Sequence, residues 1–143
     1  MSSRRIRRRG FTLIEVLLVL VILVILASLA VTAYGPVQRR ANVNAARTQI
    51  GLFKTPLGLY QNDIGNYPMT EQGLMGLVQP PADAPPGKWN GPYLEGNIPL
   101  DPWGRQYNYK YPGDRNPQSY DVWSAGPDGV DGTEDDVGNW SLE

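Results

Sequence analysis

Length, composition and charge limit what this chain can be. Its 143 residues are enough for a membrane segment and one small domain. The sequence has no cysteine, which excludes a disulfide framework and thiol chemistry. It also has no histidine, which removes the commonest general base and metal ligand near neutral pH.

The first thirty residues combine a basic segment with an apolar one. Five arginines precede Gly10, and no side chain from Val16 to Ala30 is charged. Such an apolar run partitions into a bilayer, and the arginines are expected to stay on the cytoplasmic side. Residues 11–35 are therefore predicted to form a transmembrane and assembly helix, with residues 36–143 as a head on the opposite side.

Glu15 does not fit an ordinary membrane span. A carboxylate at bilayer depth costs about 2.5–3.5 kcal/mol, so it needs a partner or a function. A secretory signal peptide would be cleaved after its apolar core, where residues 27–30 could supply the site, but Glu15 would then interrupt that core. A plain signal anchor has no use for the glutamate. The third alternative is cleavage before the apolar run, between Gly10 and Phe11.

The sequence around Gly10 favours the third alternative. A basic peptide, Gly10-Phe11 and then Thr-Leu-Ile-Glu resemble the class III leader of type IV prepilins. The resemblance implies that a prepilin peptidase removes residues 1–10 and that Phe11 is N-methylated. It also implies a partner for Glu15, the new amino group of Phe11 in a neighbouring subunit. We expect this carboxylate to be satisfied only by another copy of the chain.

The segment from Val37 to about Asn62 is predicted to be an amphipathic helix. Apolar residues recur at alternating spacings of three and four, which places them on one face. We expect the C-terminal half of this face to pack on the head. The residues of this stripe are Val43, Ala46, Ile50, Phe53, Leu57 and Tyr60.

Two prolines threaten the continuity of the N-terminal helix. Pro36 follows Gly35 where the span should leave the membrane, and a kink or an unwound stretch is expected near residues 32–36. Pro56 could kink the helix, or it could stand at the first position of a second helix that Thr55 caps.

The rest of the head is predicted to be a small antiparallel sheet with many turns. Thr70 is expected to cap a short helix over Glu71–Val78. Residues Arg105–Tyr111 alternate as in a strand, and Ser119–Ser124 follows as a second strand. The fold class is therefore α+β, with the long helix packed on the sheet.

The C-terminal segment is strongly acidic. Residues 121–143 contain seven acids and no base, and the densest part ends at Asp136. A solvated acidic loop is the simplest interpretation, but Trp123 and Trp140 bracket the segment and are expected to anchor it in the core. An ordered loop with this charge needs a cation. Oxygen donors with glycine turns suit Ca²⁺, whereas zinc is disfavoured without cysteine or histidine.

Several sequence blocks resemble the major pseudopilins of type II secretion systems. The blocks are Tyr67–Leu74, Asp101–Gly104, Ser124–Gly129 and Asp135–Trp140. The resemblance implies a pilin-like fold and a calcium loop over residues 125–139. The implied ligands are the side chains of Asp128, Asp135 and Asp136 with the backbone carbonyls of Ala125 and Thr133. Asp131 and Glu134 would tune the charge of the loop.

The resemblance also implies a structural role and not an enzymatic one. The chain would lie in the inner membrane, with a cytoplasmic N-terminus and a periplasmic head. After cleavage, copies would polymerise with minor pseudopilins into a helical pseudopilus on an inner-membrane assembly platform. Growth of this filament would drive folded proteins across the outer membrane. Without the five leader arginines the chain has 8 basic and 14 acidic residues, which argues against nucleic acid as a partner.

Two other functions stay open at this stage. The first is a type IV pilin of a surface fibre for adhesion or motility, although many such pilins carry a C-terminal disulfide and this chain has no cysteine. The second is a membrane-anchored periplasmic enzyme that uses Asp135 and Asp136 as paired carboxylates.

Overall fold

The computed structural model describes residues 10–141, without the side chains of residues 29–34 and 141. The predicted leader therefore lies outside the described residues except for Gly10. The chain divides into two compact units after Gln38. The helices are α1 (Leu13–Leu52), α2 (Lys54–Ile64) and two 3₁₀ helices (Gly73–Leu77 and Asn139–Ser141), and the strands are β1 (Asn108–Lys110), β2 (Asp121–Ser124) and β3 (Val137–Gly138).

The N-terminal unit exposes its apolar side chains. From Leu13 to Leu26 the large apolar residues are between 47% exposed, at Ile22, and 85% exposed, at Leu13. Among the described residues, no helix is both long enough and apolar enough to cross a membrane. The transmembrane helix over residues 11–35 stays a prediction.

One of the two predicted interruptions is present as a break between helices. Helical structure continues through Pro36, so the predicted unwound stretch is wrong, and the alternative of a kink near residues 32–36 stays a prediction. The second break lies between Leu52 and Lys54. Proline has no amide hydrogen and its ring collides with the carbonyl four residues earlier, which for Pro56 is the carbonyl of Leu52. The break therefore precedes Pro56, and Thr55 lies inside the first turn of α2 and does not cap it.

The predicted apolar stripe forms one side of the core in the C-terminal unit. Ala46, Ile50, Phe53, Leu57 and Tyr60 are all at most 2% exposed, which confirms the predicted face. Burying such side chains supplies about 1.5–3 kcal/mol each for the large aliphatic and aromatic residues. The rest of the buried core consists of Leu74, Leu77, Tyr107, Tyr120, Val122 and Val137.

A three-stranded antiparallel sheet completes the head in the order β1-β2-β3. Tyr109 pairs with Val122 between the first two strands, and Trp123 pairs with Gly138 between the last two. The α+β class and the small antiparallel sheet are confirmed. Strand β1 is shorter than predicted, and β3 was not predicted because two residues carry no alternation pattern.

Thr70 has a different role from the predicted one. The short helix is a 3₁₀ helix over Gly73–Leu77, and no side chain caps it. The Thr70 hydroxyl instead donates to the carbonyl of Tyr111 and accepts from the amide of Tyr111, both at 3.0 Å. Thr70 therefore satisfies the backbone just beyond the end of β1.

Candidate functional site

The predicted cleavage site lies outside the helix. Gly10 and Phe11 both precede α1, and Phe11 is 87% exposed. A protease needs an extended, accessible backbone around the bond it cleaves. The Gly10–Phe11 bond lies outside any helix or strand and both residues are exposed, so it meets the requirement for access.

Thr12 and Glu15 form a capping box at the start of α1. The Glu15 carboxylate accepts hydrogen bonds from the backbone amide of Thr12 (3.0 Å) and from its hydroxyl (3.1 Å). The Glu15 amide donates to the Thr12 hydroxyl at 3.3 Å. This reciprocal arrangement satisfies amides that a helix start leaves unpaired. The expectation that Glu15 is satisfied only by another copy is therefore wrong, since its own chain supplies partners.

The acidic loop connects β2 to β3 and closes tightly at its base. Gly126 has φ +62°, and a Cβ there would collide with the backbone carbonyl of Asp135. Only glycine tolerates both the left-handed backbone and this close approach. The predicted ligands near residue 125 and near residue 135 are thereby brought to the same end of the loop.

The Thr133 hydroxyl lies between two of the predicted ligands. It is 2.6 Å from one Asp135 oxygen and 3.2 Å from one Asp128 oxygen. The amide of Asp128 also donates to Asp135 at 3.3 Å. The hydrogen bond from Thr133 is the main reason that the pKa of Asp135 is lowered. Because a hydroxyl has one proton, it cannot satisfy both carboxylates.

Asp136 has a buried oxygen without a hydrogen-bond partner. Its Oδ2 accepts from the amide of Gly132 at 2.8 Å, whereas its Oδ1 is buried and has no partner in the structure. Burial raises the pKa of Asp136, and the negative charges of Asp131, Asp135 and Asp128 raise it further. A nearby cation would offset both causes, because it favours the charged form of the carboxylate.

The two predicted backbone ligands each accept one hydrogen bond from the backbone of the loop. The carbonyl of Ala125 accepts from the amide of Gly129 at 3.1 Å, and the carbonyl of Thr133 accepts from the amide of Asp136 at 3.3 Å. A carbonyl oxygen has two lone pairs, so each can accept a second interaction.

The chemistry of these donors fits a hard cation, because all of them are oxygen atoms. The structure does not gather the three carboxylates around one point. Among residues 10–141, no group of three or more acidic side chains is placed to hold a metal ion. The carboxylates of Asp128 and Asp135 both contact the hydroxyl of Thr133, and one oxygen of Asp136 is buried without a hydrogen-bond partner. Only the backbone of Thr133 was predicted to be a ligand, and the contacts of its hydroxyl with Asp128 and Asp135 were not predicted.

The residues around the loop differ in part from the expectation. Trp123 and Trp140 are only half-buried and do not lie in the core, so the predicted anchoring there is wrong. Their rings contact each other with centroids 6.0 Å apart. The Trp123 indole donates to Asp131 at 2.5 Å, so this carboxylate already has a partner.

A buried polar cluster contacts the base of the loop. Asp101 and Ser124 begin two of the sequence blocks that resemble pseudopilins, but no contact between them was predicted. The carboxylate of Asp101 accepts a hydrogen bond from the hydroxyl of Ser124 at 2.5 Å, and both residues are buried. The guanidinium of Arg105 donates to the carbonyl of Gly126. An arginine in a short turn has no local signal that it reaches a segment about twenty residues away.

Comparison with known proteins gives the family of the chain. Residues 34–140 match the family model described as type II secretion system (T2SS), protein G. The chain belongs to the type II secretion system protein G family. Residues 5–31 also match the prokaryotic N-terminal methylation motif, which includes Gly10, Phe11 and Glu15. The protein G model covers the core and the acidic loop, and the methylation motif covers the start of α1.

Members of the protein G family match this chain over most of its length. The type II secretion system core protein G of Pectobacterium carotovorum subsp. carotovorum is 41% identical, over 96% of this chain and 87% of that protein. The core protein G of Pseudomonas aeruginosa is 40% identical, over 95% of this chain and 97% of that protein.

A solved structure supports the same fold. The major pseudopilin from the type 2 secretion system of enterohaemorrhagic Escherichia coli is 36% identical to this chain, with a TM-score of 0.69. The match covers 77% of this chain and 92% of that one. The pilin-like fold predicted from the sequence is confirmed.

Proposed function

We propose that this chain is the major structural subunit of a type II secretion pseudopilus. Its apolar N-terminal segment anchors it in the inner membrane, with the N-terminus in the cytoplasm and the head in the periplasm. Copies then polymerise into a helical periplasmic filament whose growth drives folded proteins across the outer membrane. The match of residues 34–140 to the protein G family carries this proposal.

The exposed apolar side chains support an assembly role. The head buries its own core, whereas Leu13, Leu17 and Leu20 are each more than half exposed within a continuous apolar surface. A patch of this kind requires lipid or another apolar surface to cover it. Lipid covers it before assembly in our proposal, and the corresponding segments of neighbouring copies cover it afterwards.

Cleavage after Gly10 creates the amino group that assembly requires in our proposal. A prepilin peptidase removes residues 1–10 and leaves a methylated Phe11 amino group, as the match to the methylation motif supports. In the filament that amino group pairs with Glu15 of a neighbour. Minor pseudopilins and the inner-membrane assembly platform are the other expected partners.

The same observations weaken the two alternatives. A surface-fibre pilin would share the N-terminal methylation motif, but the match of the head is to protein G. Asp135 and Asp136 do not act as an enzyme's acid–base pair in our proposal. Asp135 accepts a hydrogen bond from Thr133, and Asp136 accepts one from Gly132. The proteins that are similar to this chain are named as secretion core proteins and as a pseudopilin.

Complementation tests the proposal directly. The full-length gene is expressed in a type II secretion strain that lacks its own protein G, and the exported fraction of an exoprotein is measured. We expect export to return with the unaltered chain but not with Gly10→Glu, in which a charged side chain blocks cleavage. Export that stays at the level of the deletion strain, with normal amounts of processed protein, would contradict the proposal.

We also propose that Ca²⁺ orders the acidic loop. The side chains of Asp128, Asp135 and Asp136 and the carbonyls of Ala125 and Thr133 would hold the ion. The buried, unpartnered oxygen of Asp136 supports this proposal, as does the approach of Asp128 and Asp135 to one hydroxyl. Bound calcium would supply the positive charge that this loop lacks, and the ordered loop would make the head competent to pack in the filament.

Thermal unfolding of the full chain in detergent tests the calcium site. Ligand at 100 times its Kd stabilises a native state by about 2.7 kcal/mol, so calcium should raise Tm clearly against a chelator control. Asp128→Ala should abolish the rise, whereas Asp114→Ala should retain it because that exposed residue pairs with Lys110 away from the loop. An equal Tm with calcium and with chelator would exclude a structural calcium site.

A further inference from the structure

We propose that Arg105 is a positioning residue that holds the first turn of the acidic loop in place before any cation binds. The inference extends the proposed calcium role of the loop. The contact between Arg105 and the loop is present without any ion. The residues that carry the inference are Asp101, Arg105, Ser124, Gly126 and Gly129.

Asp101 is the fixed point of the arrangement. It is 5% exposed, and one of its carboxylate oxygens accepts from the amides of Trp103 (3.0 Å) and Arg105 (2.8 Å). The other oxygen accepts from the Ser124 hydroxyl at 2.5 Å. The amide of Asp101 also donates to the carbonyl of Arg105 at 2.7 Å. The turn that carries Arg105 is therefore fixed by hydrogen bonds of its backbone to Asp101, which do not depend on the side chain of Arg105.

The Arg105 side chain extends from this turn to the loop. Its Nε lies 3.8 Å from a carboxylate oxygen of Asp101, which offsets its charge within the head. Its Nη2 donates to the carbonyl of Gly126, and its Nη1 occupies the space that a Cβ at Gly129 would need. One planar guanidinium thus contacts both ends of the turn formed by residues 126–129. Lysine could not do this, because its ammonium is a single point and not a fork.

Ser124 connects the same cluster to the loop from the other side. Its hydroxyl donates to Asp101 and accepts from the amide of Gly126 at 3.2 Å. Gly126 is therefore held at its amide by Ser124 and at its carbonyl by Arg105. Immediately before it is the carbonyl of Ala125, one of the proposed calcium ligands. Holding Gly126 fixes the direction of that carbonyl without any ion.

The arrangement has a consequence for cation binding. A loop that is already ordered loses less conformational entropy when it binds a ligand, so preorganisation increases affinity. The charge of Arg105 would repel a cation, but its partner Asp101 is buried beside it and compensates. The net effect expected of Arg105 is therefore to strengthen binding.

Hydrogen exchange on the full chain in detergent with chelator tests the inference without depending on calcium. The amides of Gly129 and Asp136 report on the loop, and the amide of Leu57, which donates to Phe53, reports on the core. In Arg105→Met we expect exchange of the loop amides to be at least about tenfold faster, since the lost hydrogen bond involves a charged donor. Exchange at Leu57 should be unchanged.

Two further variants make the result specific. Arg105→Lys should restore little of the protection, whereas Arg47→Met, the same chemical change on an exposed helix face, should leave the loop amides unchanged. Loop exchange in Arg105→Met equal to that of the unaltered chain would overturn the inference. A general increase that includes Leu57 would also overturn it, because Arg105 would then support the whole head.

Calcium titration distinguishes this inference from the calcium proposal. If the unaltered chain binds calcium, we expect Kd to be about tenfold weaker in Arg105→Met, in line with the loss of one charged hydrogen bond. If the unaltered chain binds no calcium, the calcium proposal fails, and faster loop exchange in Arg105→Met still supports the positioning role.

Discussion

Thr12 and Glu15 satisfy each other at the first turn of α1. The carboxylate accepts from the amide and the hydroxyl of Thr12, and the hydroxyl accepts from the amide of Glu15. The glutamate therefore has two separable functions, a cap within its own chain and the proposed charge pair with Phe11 of a neighbour. Glutamine preserves the first function and removes the second.

Glu15→Gln is expected to be inserted and cleaved normally but to polymerise poorly, because it keeps the cap and loses the charge. Glu15→Ala should show the same assembly defect. Thr12→Ala is the matched control, since it loses the threonine's part in the cap, worth about 0.5–2 kcal/mol, and retains the charge. Filament yield after cell fractionation is the measurement. Normal yield from Glu15→Gln would show that capping alone explains this glutamate.

Asp136→Asn tests whether the buried charge of Asp136 lowers stability without calcium and raises it with calcium. Without calcium, we expect this variant to be at least as stable as the unaltered chain. The reason is that burial and three neighbouring aspartates disfavour the charged form of Asp136, as its raised pKa indicates. With calcium, the variant should lose most of the rise in Tm because one anionic ligand is gone.

The measurement for this variant is thermal unfolding of the full chain in detergent, with calcium and with chelator. Asp114→Asn is the control, since its exposed carboxylate pairs with Lys110 outside the loop. If Asp136→Asn kept the full calcium-dependent rise in Tm, Asp136 could not be a ligand.

Alkaline pH should destabilise the head through its buried tyrosines. Burial raises the pKa of Tyr107 and of Tyr120 to about 12, and it also raises the pKa of Tyr109. An unfolded tyrosine has a pKa of about 10, so the folded state retains protons that the unfolded state releases. This contribution is complete below about pH 10 and is lost as the pH rises through the folded-state pKa values.

Tyr107→Phe provides the variant for this prediction. The hydroxyl of Tyr107 is buried without a hydrogen-bond partner, so its removal should increase stability at pH 7 by up to about 1 kcal/mol. The ring contact with Phe53, with centroids 5.4 Å apart, should remain. Denaturant unfolding between pH 7 and pH 11 measures both effects. A smaller alkaline loss is expected in the variant, and a clear loss of stability at pH 7 would contradict the assignment.

Two leucines of α2 test the packing of the helix on the head. Leu57 is completely buried, and Leu57→Ala should reduce the free energy of unfolding by about 2–5 kcal/mol. Leu59 lies on the same helix but is 48% exposed, and Leu59→Ala should change stability by only about 0.5 kcal/mol. The two variants share the same change in helix propensity. Equal losses would mean that the helix face has been assigned incorrectly.

The features that the sequence predicted well are those with a repeating pattern. The stripe from Val43 to Tyr60 follows the helical period, and its core-facing members are buried as expected. The strand around Val122 was also identified, because Tyr120 and Val122 alternate with polar residues and both are buried. Periodic burial can be inferred from a sequence because the spacing of apolar residues along a short segment is enough to show which face is buried.

The features that were missed depend on contacts between distant segments or on competition between local signals. Thr70 has the sequence signature of a helix cap but is bonded to Tyr111, forty-one residues away. Arg105 has no pattern that indicates its contact with Gly126. The capping box at Thr12 is a local signal that could have been read, but the unusual position of Glu15 in an apolar run drew the interpretation to an intermolecular partner only.

The most direct test of the account is to isolate pseudopili from secreting cells that express this chain as their protein G. Mass spectrometry of the filament subunit gives its N-terminus, and electron microscopy with an antibody to the head identifies the subunit in the filament. We predict filaments built of this chain, each copy beginning at an N-methylated Phe11. The central claim would be contradicted if export proceeded while the chain retained its leader. It would also be contradicted if export proceeded while the chain was absent from every filament.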